Sequence, residues 1–200
     1  MKKRFNSFYI LFLCIAFNSL NAQQNTDENH PFYDRDSELM AHTDTIPDFR
    51  SKSNKLKLTG TVYKSDGVTP AKDVIIYIEQ PDEDGNFDLR GNGKDRYVFH
   101  RSWVKTDENG RYTFYTFVPG NDRRYNQMSQ IFPFIKEQSK PKVELQSLLF
   151  DTDPMLTKRC RKQLTNRGDI KRILKIKKEE HILVAQKNLV LPKQTTPMTK

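Results

Sequence analysis

The dipeptide Asn109-Gly110 constrains this chain more than any other feature. An Asn-Gly pair accepts the left-handed backbone of a tight hairpin turn. Arg111 to Phe117 follows it, with Tyr112, Phe114 and Thr116 alternating against Thr113, Tyr115 and Phe117. Period-two alternation places the two sets on opposite faces of a strand. A hairpin with two substantial faces needs partner strands, and the chain offers several. Leu56 to Tyr63 alternates in the same way, and Ser65-Asp66-Gly67 and Pro70 to Asp73 supply turn chemistry after it. Val74 to Ile78 is a β-branched run of the kind buried inside a sheet. Tyr97 to Lys105, Ile131 to Ile135 and Val143 to Phe150 are further strand candidates, and Arg172–Lys177 and Ile182–Val190 form a closing pair around a turn at Lys178 to His181.

One helix is expected. Asp153-Pro154 reads as a cap followed by proline at the first helical position. The helix runs to about Gln163 and stops near Gly168, which puts Lys158, Arg159, Arg161 and Lys162 in its later turns, where cations suit the dipole. Short strands with turns between them and a single helix predict an all-β fold, an antiparallel β-sandwich. No internal repeat, heptad, glycine-rich phosphate loop or Cys/His cluster appears.

The ends of the chain read differently. Lys2, Lys3 and Arg4 precede an apolar run from Phe8 to Phe17, and Asn18 to Ala22 is polar and ends in a small residue. That run, about ten residues, has signal-peptide length and is too short to span a bilayer. Residues 1–22 are therefore expected to be a signal peptide cleaved after Ala22. The protein would then be exported, periplasmic or secreted, with no spanning segment left. Cleavage takes three positive charges and no acid, so the formal charge falls from +9 to +6. Only Cys160 then remains, and no internal disulfide is available. Residues 23–54 are poor in aliphatic side chains and rich in Asp, Asn, Ser and Thr, the composition of a disordered or loosely docked leader, in which His30 and His42 are solvated. The domain is expected over residues 55–192, with 193–200 a polar tail. The cations are interspersed with acids, which predicts a solvated surface and no nucleic-acid partner.

Six stretches, in order, carry a resemblance: LTGTVYKSDGVTPAKDVIIYIEQ, DEDGNF, RSWVKTDENGRYTFYTFVPG, SQIFPFIKE, LLFDTDPMLTKR and NLVLP. Together, residues 56–192 resemble the intradiol ring-cleavage dioxygenase family, specifically its short exported members. The resemblance implies a prealbumin-like β-sandwich and a ferric iron held by two tyrosines and two histidines. Phenolate and imidazole suit that hard cation, whose Lewis acidity activates a catechol toward dioxygen.

Carried over position by position, at most one of the four donors survives. The first tyrosine position, two residues after Gly85, is Phe87. The second falls on Asp122, or on Tyr125 if the loop after Pro119-Gly120 is shifted by three. The two histidine positions are Gln130 and Phe132, before Pro133. No cofactor is expected on this reading. The expected role is binding, of a small aromatic ligand or a protein partner, or structural support. Phe87 and Phe132 would either wall a pocket or fill the vacated volume, and the second is favoured.

Two alternatives stand beside it. One is an active Fe(III) intradiol dioxygenase with a relocated ligand set drawn from Tyr97, His100, Tyr112, Tyr115 and Tyr125, although His100 reads as a strand residue. The other is a carboxypeptidase-regulatory or transthyretin-like interaction module, which residues 56–80 also fit. That module would end near Phe117 and leave 120–192 outside the sandwich.

Overall fold

The structure is a computed structural model that describes residues 30–193. The signal-peptide expectation and the tail beyond residue 193 lie outside the described residues.

Fourteen strands and one α-helix build the described part: β1 (Thr43–Thr45), β2 (Lys55–Tyr63), β3 (Ile75–Glu79), β4 (Leu89–Arg90), β5 (Tyr97–Val98), β6 (Arg101–Lys105), β7 (Arg111–Phe117), β8 (Gln130–Lys136), β9 (Val143–Glu144), β10 (Leu148–Phe150), α1 (Lys158–Asn166), β11 (Ile173–Leu174), β12 (Lys177–Glu179), β13 (Ile182–Gln186) and β14 (Leu189–Val190). One sheet runs β1-β7-β2-β13-β12, with β14 also beside β2. The other runs β11-β10-β8-β3-β6, with β9 beside β8. β4 and β5 form a separate ribbon.

Alternation does the work in β2, whose residues switch strictly between half-buried and buried along its length. Leu56, Leu58 and Val62 face inward and meet Tyr112 and Phe114 from β7 and Ala185 from β13. Ile76, Ile78, Val104, Ile131 and Ile135 answer from the other sheet, so the main core is the inner layer of a sandwich. Strands continue to β14, well past Phe117, and the module ending there is ruled out.

The sheets are mixed. β1 runs parallel to β7, β13 and β14 run parallel to β2, and β11 runs parallel to β10. The expected hairpin at Asn109-Gly110 does not form, because that turn joins β6 of one sheet to β7 of the other, and β7 pairs with β1 and β2 instead. The expected closing pair is also rearranged. Residues 173–174 join β10 in one sheet, while the hairpin in the other sheet is β12 with β13. Helix α1 starts later than the sequence suggests. Thr157 is its cap and accepts from the Cys160 N–H, so Lys158 and Arg159 occupy the first turn. Asp153, the expected cap, is used elsewhere, as shown below.

The largest departure is in the leader. Residues 30–54 fold onto the sandwich. β1 is one edge of the first sheet, and Ala41 O accepts from Lys105 N on β6 of the second, so the segment crosses from one sheet to the other. Phe32 and Met40 pack with Tyr77, Trp103 and Phe134 into a second core on the outer face of β3, β6 and β8. Trp103 Nε1 donates to Phe32 O at 3.0 Å, and Asp44 accepts from Ser102 Oγ at 2.7 Å. Few apolar side chains sufficed because each lands on an aromatic surface that would otherwise meet water.

Candidate functional site

Two turns of one design frame the region. In Asp82 to Asn86, the Asp82 carboxylate accepts the N–H groups of Asp84 and Asn86, and Gly85 N donates to Asp82 O. In Asp107 to Arg111, the Asp107 carboxylate accepts those of Asn109 and Arg111, and Gly110 N donates to Asp107 O. Both glycines have positive φ, 85° and 70°. The first turn delivers Phe87 as the second delivers Tyr112.

The 82–86 turn then packs backbone to backbone on the loop after β7. Gly120 N donates to Asp82 O at 2.8 Å. A Cβ on Gly120 would lie 2.2 Å from Glu83 O, and one on Gly85 would lie 2.7 Å from Asn121 O. Asp153 ties the same loop down from the other side. The residue is 6% exposed, and its carboxylate accepts from Asn121 Nδ2 at 3.0 Å, from Ser129 N at 2.7 Å and from Met155 N at 2.9 Å. Ser129 Oγ donates to Pro119 O at 2.5 Å.

On this frame, Phe87 and Phe132 meet, with ring centroids 5.8 Å apart and both rings half-buried. Gln130 stands two residues from Phe132 on β8, hence on the same face. Its Oε1 accepts from Ser147 Oγ at 2.8 Å, and Arg172 Nη2 donates to that hydroxyl in turn. Asp122 spends its carboxylate locally, accepting from Arg124 N and Tyr125 N, and Tyr125 is 74% exposed. Among the described residues, no hydrogen bond or ring contact joins Asp122 or Tyr125 to Phe87, Gln130 or Phe132.

Sequence reasoning passed over Glu79 and Arg101. Glu79 is the register partner of Phe132 on one side and of Arg101 on the other. Tyr77, two residues before it, is fully buried and donates its hydroxyl to Glu79 at 2.6 Å. Burial raises the Glu79 carboxyl above the usual carboxylate range, against the pull of the Tyr77 hydroxyl and Arg101. Burial, with Glu79 beside it, also pushes the Tyr77 hydroxyl up, so it stays a donor. Arg101 lies over the Tyr97 ring at 3.7 Å and pairs with Asp34 at 2.5 Å. The period-two spacing of Tyr77 and Glu79 was the available signal, because it sets both on the outer face of a buried strand.

The relocated iron set does not assemble. Tyr112 lies on the inner face of β7 and donates to Lys187 O, whereas Tyr115 lies on the outer face against Phe49. Tyr97 belongs to the ribbon. His100 is 3% exposed between the rings of Phe99 and Phe117, at 5.2 and 5.0 Å, and neither of its nitrogens has a hydrogen-bond partner among the described residues. The donor chemistry at Phe87, Asp122, Gln130 and Phe132 does not fit ferric iron. Two positions have no donor atom, one offers a neutral amide already bonded, and one a carboxylate already used. What the site can do is stack a flat ring and exchange hydrogen bonds with hydroxyl groups through Gln130 and Glu79.

His100 supports a pH prediction. Burial, and after it the Lys52 cation, lowers its pKa below the ordinary 6.5, while Asp82, Asp88 and Asp48 pull the other way. The unfolded chain therefore takes up a proton that the folded protein resists. The stability from neutral burial is complete above about pH 6.5 and is lost as pH falls below it. Urea unfolding followed from pH 7 to about pH 5 should show a shallower loss for His100→Phe than for the parent chain. Equal slopes would mean that His100 titrates as it does in the unfolded chain.

Comparison with solved structures identifies the architecture. The chain superimposes on the dioxygenase domain of a dioxygenase carbohydrate-binding protein fusion from Streptomyces sp. SirexAA-E with a TM-score of 0.56 and 19% identity, covering 70% of this chain and 80% of that one. It superimposes on an intradiol ring-cleavage dioxygenase from Tetranychus urticae with a TM-score of 0.56 and 21% identity, covering 76% and 85%. A catechol 1,2-dioxygenase from Pseudomonas arvilla C-1 gives a TM-score of 0.59 at 14% identity, covering 79% of this chain but only 58% of that longer enzyme. No protein-family model matches the chain, and no curated protein sequence matches it. The fold is that of the intradiol dioxygenases.

Proposed function

We propose that this chain, an intradiol-dioxygenase sandwich, is an exported domain that has lost ring-cleavage activity and acts by binding. The observation that carries the reading is the Phe87–Phe132 contact. Two positions that the resemblance gives to iron donors are occupied by phenyl rings packed on each other. Gln130 and Asp122 add support, since their polar atoms already serve Ser147 and the 122–125 turn. The ligand class that suits the region is a small aromatic or a flat hydroxylated ring. Half-buried phenyl groups would stack on it, and the raised Glu79 carboxyl and the Gln130 amide would meet its hydroxyls.

Ferric tyrosinate absorbs visible light, which makes the test direct. Protein purified after iron-replete growth should be colourless, hold no stoichiometric iron and leave catechol uncleaved. Visible absorption with bound iron and ring cleavage would overturn the reading. The companion variant carries Phe87→Tyr, Asp122→Tyr, Gln130→His and Phe132→His together. It should acquire ferric iron and a visible band, and a folded variant without iron affinity would show that the four positions are misassigned.

A further inference from the structure

The interspersion of charge read from composition does not hold in the fold. Residues 158–178 contain ten Lys and Arg and one acid, Asp169, a formal charge of +9. The whole chain also carries +9, so everything outside this segment sums to zero. The segment is continuous in space as well. It leaves the second sheet through α1, returns to it as β11, and crosses to β12. β11 and β12 are the terminal strands of the two sheets, so the segment forms one side of the sandwich.

Two of its cations have structural work. Arg161 donates to Asp151 O, and Arg172 donates to Ser147. The other eight are exposed, and none makes an ion pair among the described residues. Asp169, the one acid of residues 158–178, accepts from Gln146, and the exposed Glu179 at the end of β12 and Glu180 after it bound the basic run. Lys158 and Arg159 sit in the first turn of α1, against the helix dipole, a placement that costs stability and strengthens the outward positive field. Edge protection explains Lys177 and Lys178 on β12, because charged side chains on an edge strand deter pairing with another chain. It does not explain Lys158, Arg159, Lys162 or Lys171, which lie outside strands.

We propose that this side of the sandwich docks on an anionic phospholipid surface. Six of the eight exposed cations are lysines, point charges suited to a diffuse headgroup field more than to bidentate capture of one phosphate. No aromatic residue follows Phe150, so the face has no platform for stacking unpaired bases or sugar rings. Ile170, 40% exposed and followed directly by Lys171, gives it a single aliphatic contact for the headgroup boundary.

The test uses the full chain with phosphatidylcholine vesicles, with and without phosphatidylglycerol, in a sedimentation assay. Any binding by the apolar N-terminal run persists on phosphatidylcholine alone, so the signal is the increment that phosphatidylglycerol adds. That increment should be large at low salt and vanish at high salt. Lys158→Glu, Lys162→Glu and Lys175→Glu together should weaken it at least ~100-fold. The same positions changed to Gln should weaken it in the same direction, which covers the case in which the Glu variant misfolds. A control with the same change in charge elsewhere, Lys64→Glu with Lys72→Glu and Arg96→Glu, should retain it. The proposal fails if phosphatidylglycerol adds nothing, or if the control loses as much as the segment variants. It also fails if duplex DNA or a sulfated glycan competes the protein off the vesicles at equal anion concentration, or if the segment variants instead abolish self-association of the chain.

Discussion

Phe32→Ala is expected to cost about 3–5 kcal/mol in unfolding free energy, as much as truncating a phenylalanine in the main core. Phe32 is 2% exposed and packs against Tyr77, whose ring lies 6.0 Å away, and its carbonyl accepts the Trp103 indole N–H. Removing the ring leaves a cavity over the outer face of β3 and β6 and loosens the strap that carries Asp34 to Arg101 and Asp44 to Ser102. Urea denaturation of the two proteins at neutral pH measures the difference. A loss below about 0.5 kcal/mol, the range of an ordinary surface change, would mean that residues 30–46 do not pack here in solution. A chain starting at Lys55 should fare worse, because it exposes Tyr77, Trp103 and Phe134 at once and removes β1 from its sheet.

Gly120→Ala is expected to destabilise by about 3 kcal/mol, at the top of the overpacking range. The new methyl would fall 2.2 Å from Glu83 O and 2.6 Å from Gly85 N. Both are backbone atoms of a turn pinned by the Asp82 carboxylate, so neither can swing aside as a side-chain tip would. Relief requires the 82–86 turn to lift from the loop after β7, which breaks the Gly120 N–H bond to Asp82 O and carries Phe87 away from Phe132. Thermal unfolding reports the first effect. Loss of through-space proton contacts between the two phenyl rings in NMR reports the second. Parent-like stability with the ring contact intact would show that the two loops are further apart than the structure has them.

Much of the sandwich was legible because period-two alternation leaves a mark. β2 and β7 read correctly as strands from Leu56-x-Leu58 and from Tyr112-x-Phe114, since one face of each meets the core and the other does not. The Asn109-Gly110 turn misled about pairing, because it carries the chain from β6 in one sheet to β7 in the other and closes no hairpin. Where a strand is covered on both sides, alternation fades, and β3 and β8 showed only as apolar runs without a direction. Asp153 misled for a different reason. An aspartate before proline satisfies the local rule for a helix start, but its carboxylate instead accepts from Asn121 and Ser129, residues too distant in sequence for a local rule to see. The leader misled because composition counts apolar residues and says nothing of where they land. Two of them, Phe32 and Met40, are enough once an aromatic sheet face awaits cover.

The candidate site divides along the same line. Its chemistry is written in the sequence. Phe87, Gln130 and Phe132 stand where the resemblance calls for tyrosine and histidine, and no fold can give a phenyl ring a lone pair. The signed charge of residues 158–178 is equally a property of the chain. Tertiary structure alone decided which of these residues meet. The register of β3 with β8 set Glu79 beside Phe132, and the backbone contact at Gly85 and Gly120 brought Phe87 to it. The pairing of β11 and β12 into different sheets spread one run of lysines and arginines along a whole side of the molecule. Residue type fixes what a side chain can donate or accept. Which partner it finds depends on contacts between residues far apart in sequence, and only the folded backbone supplies those.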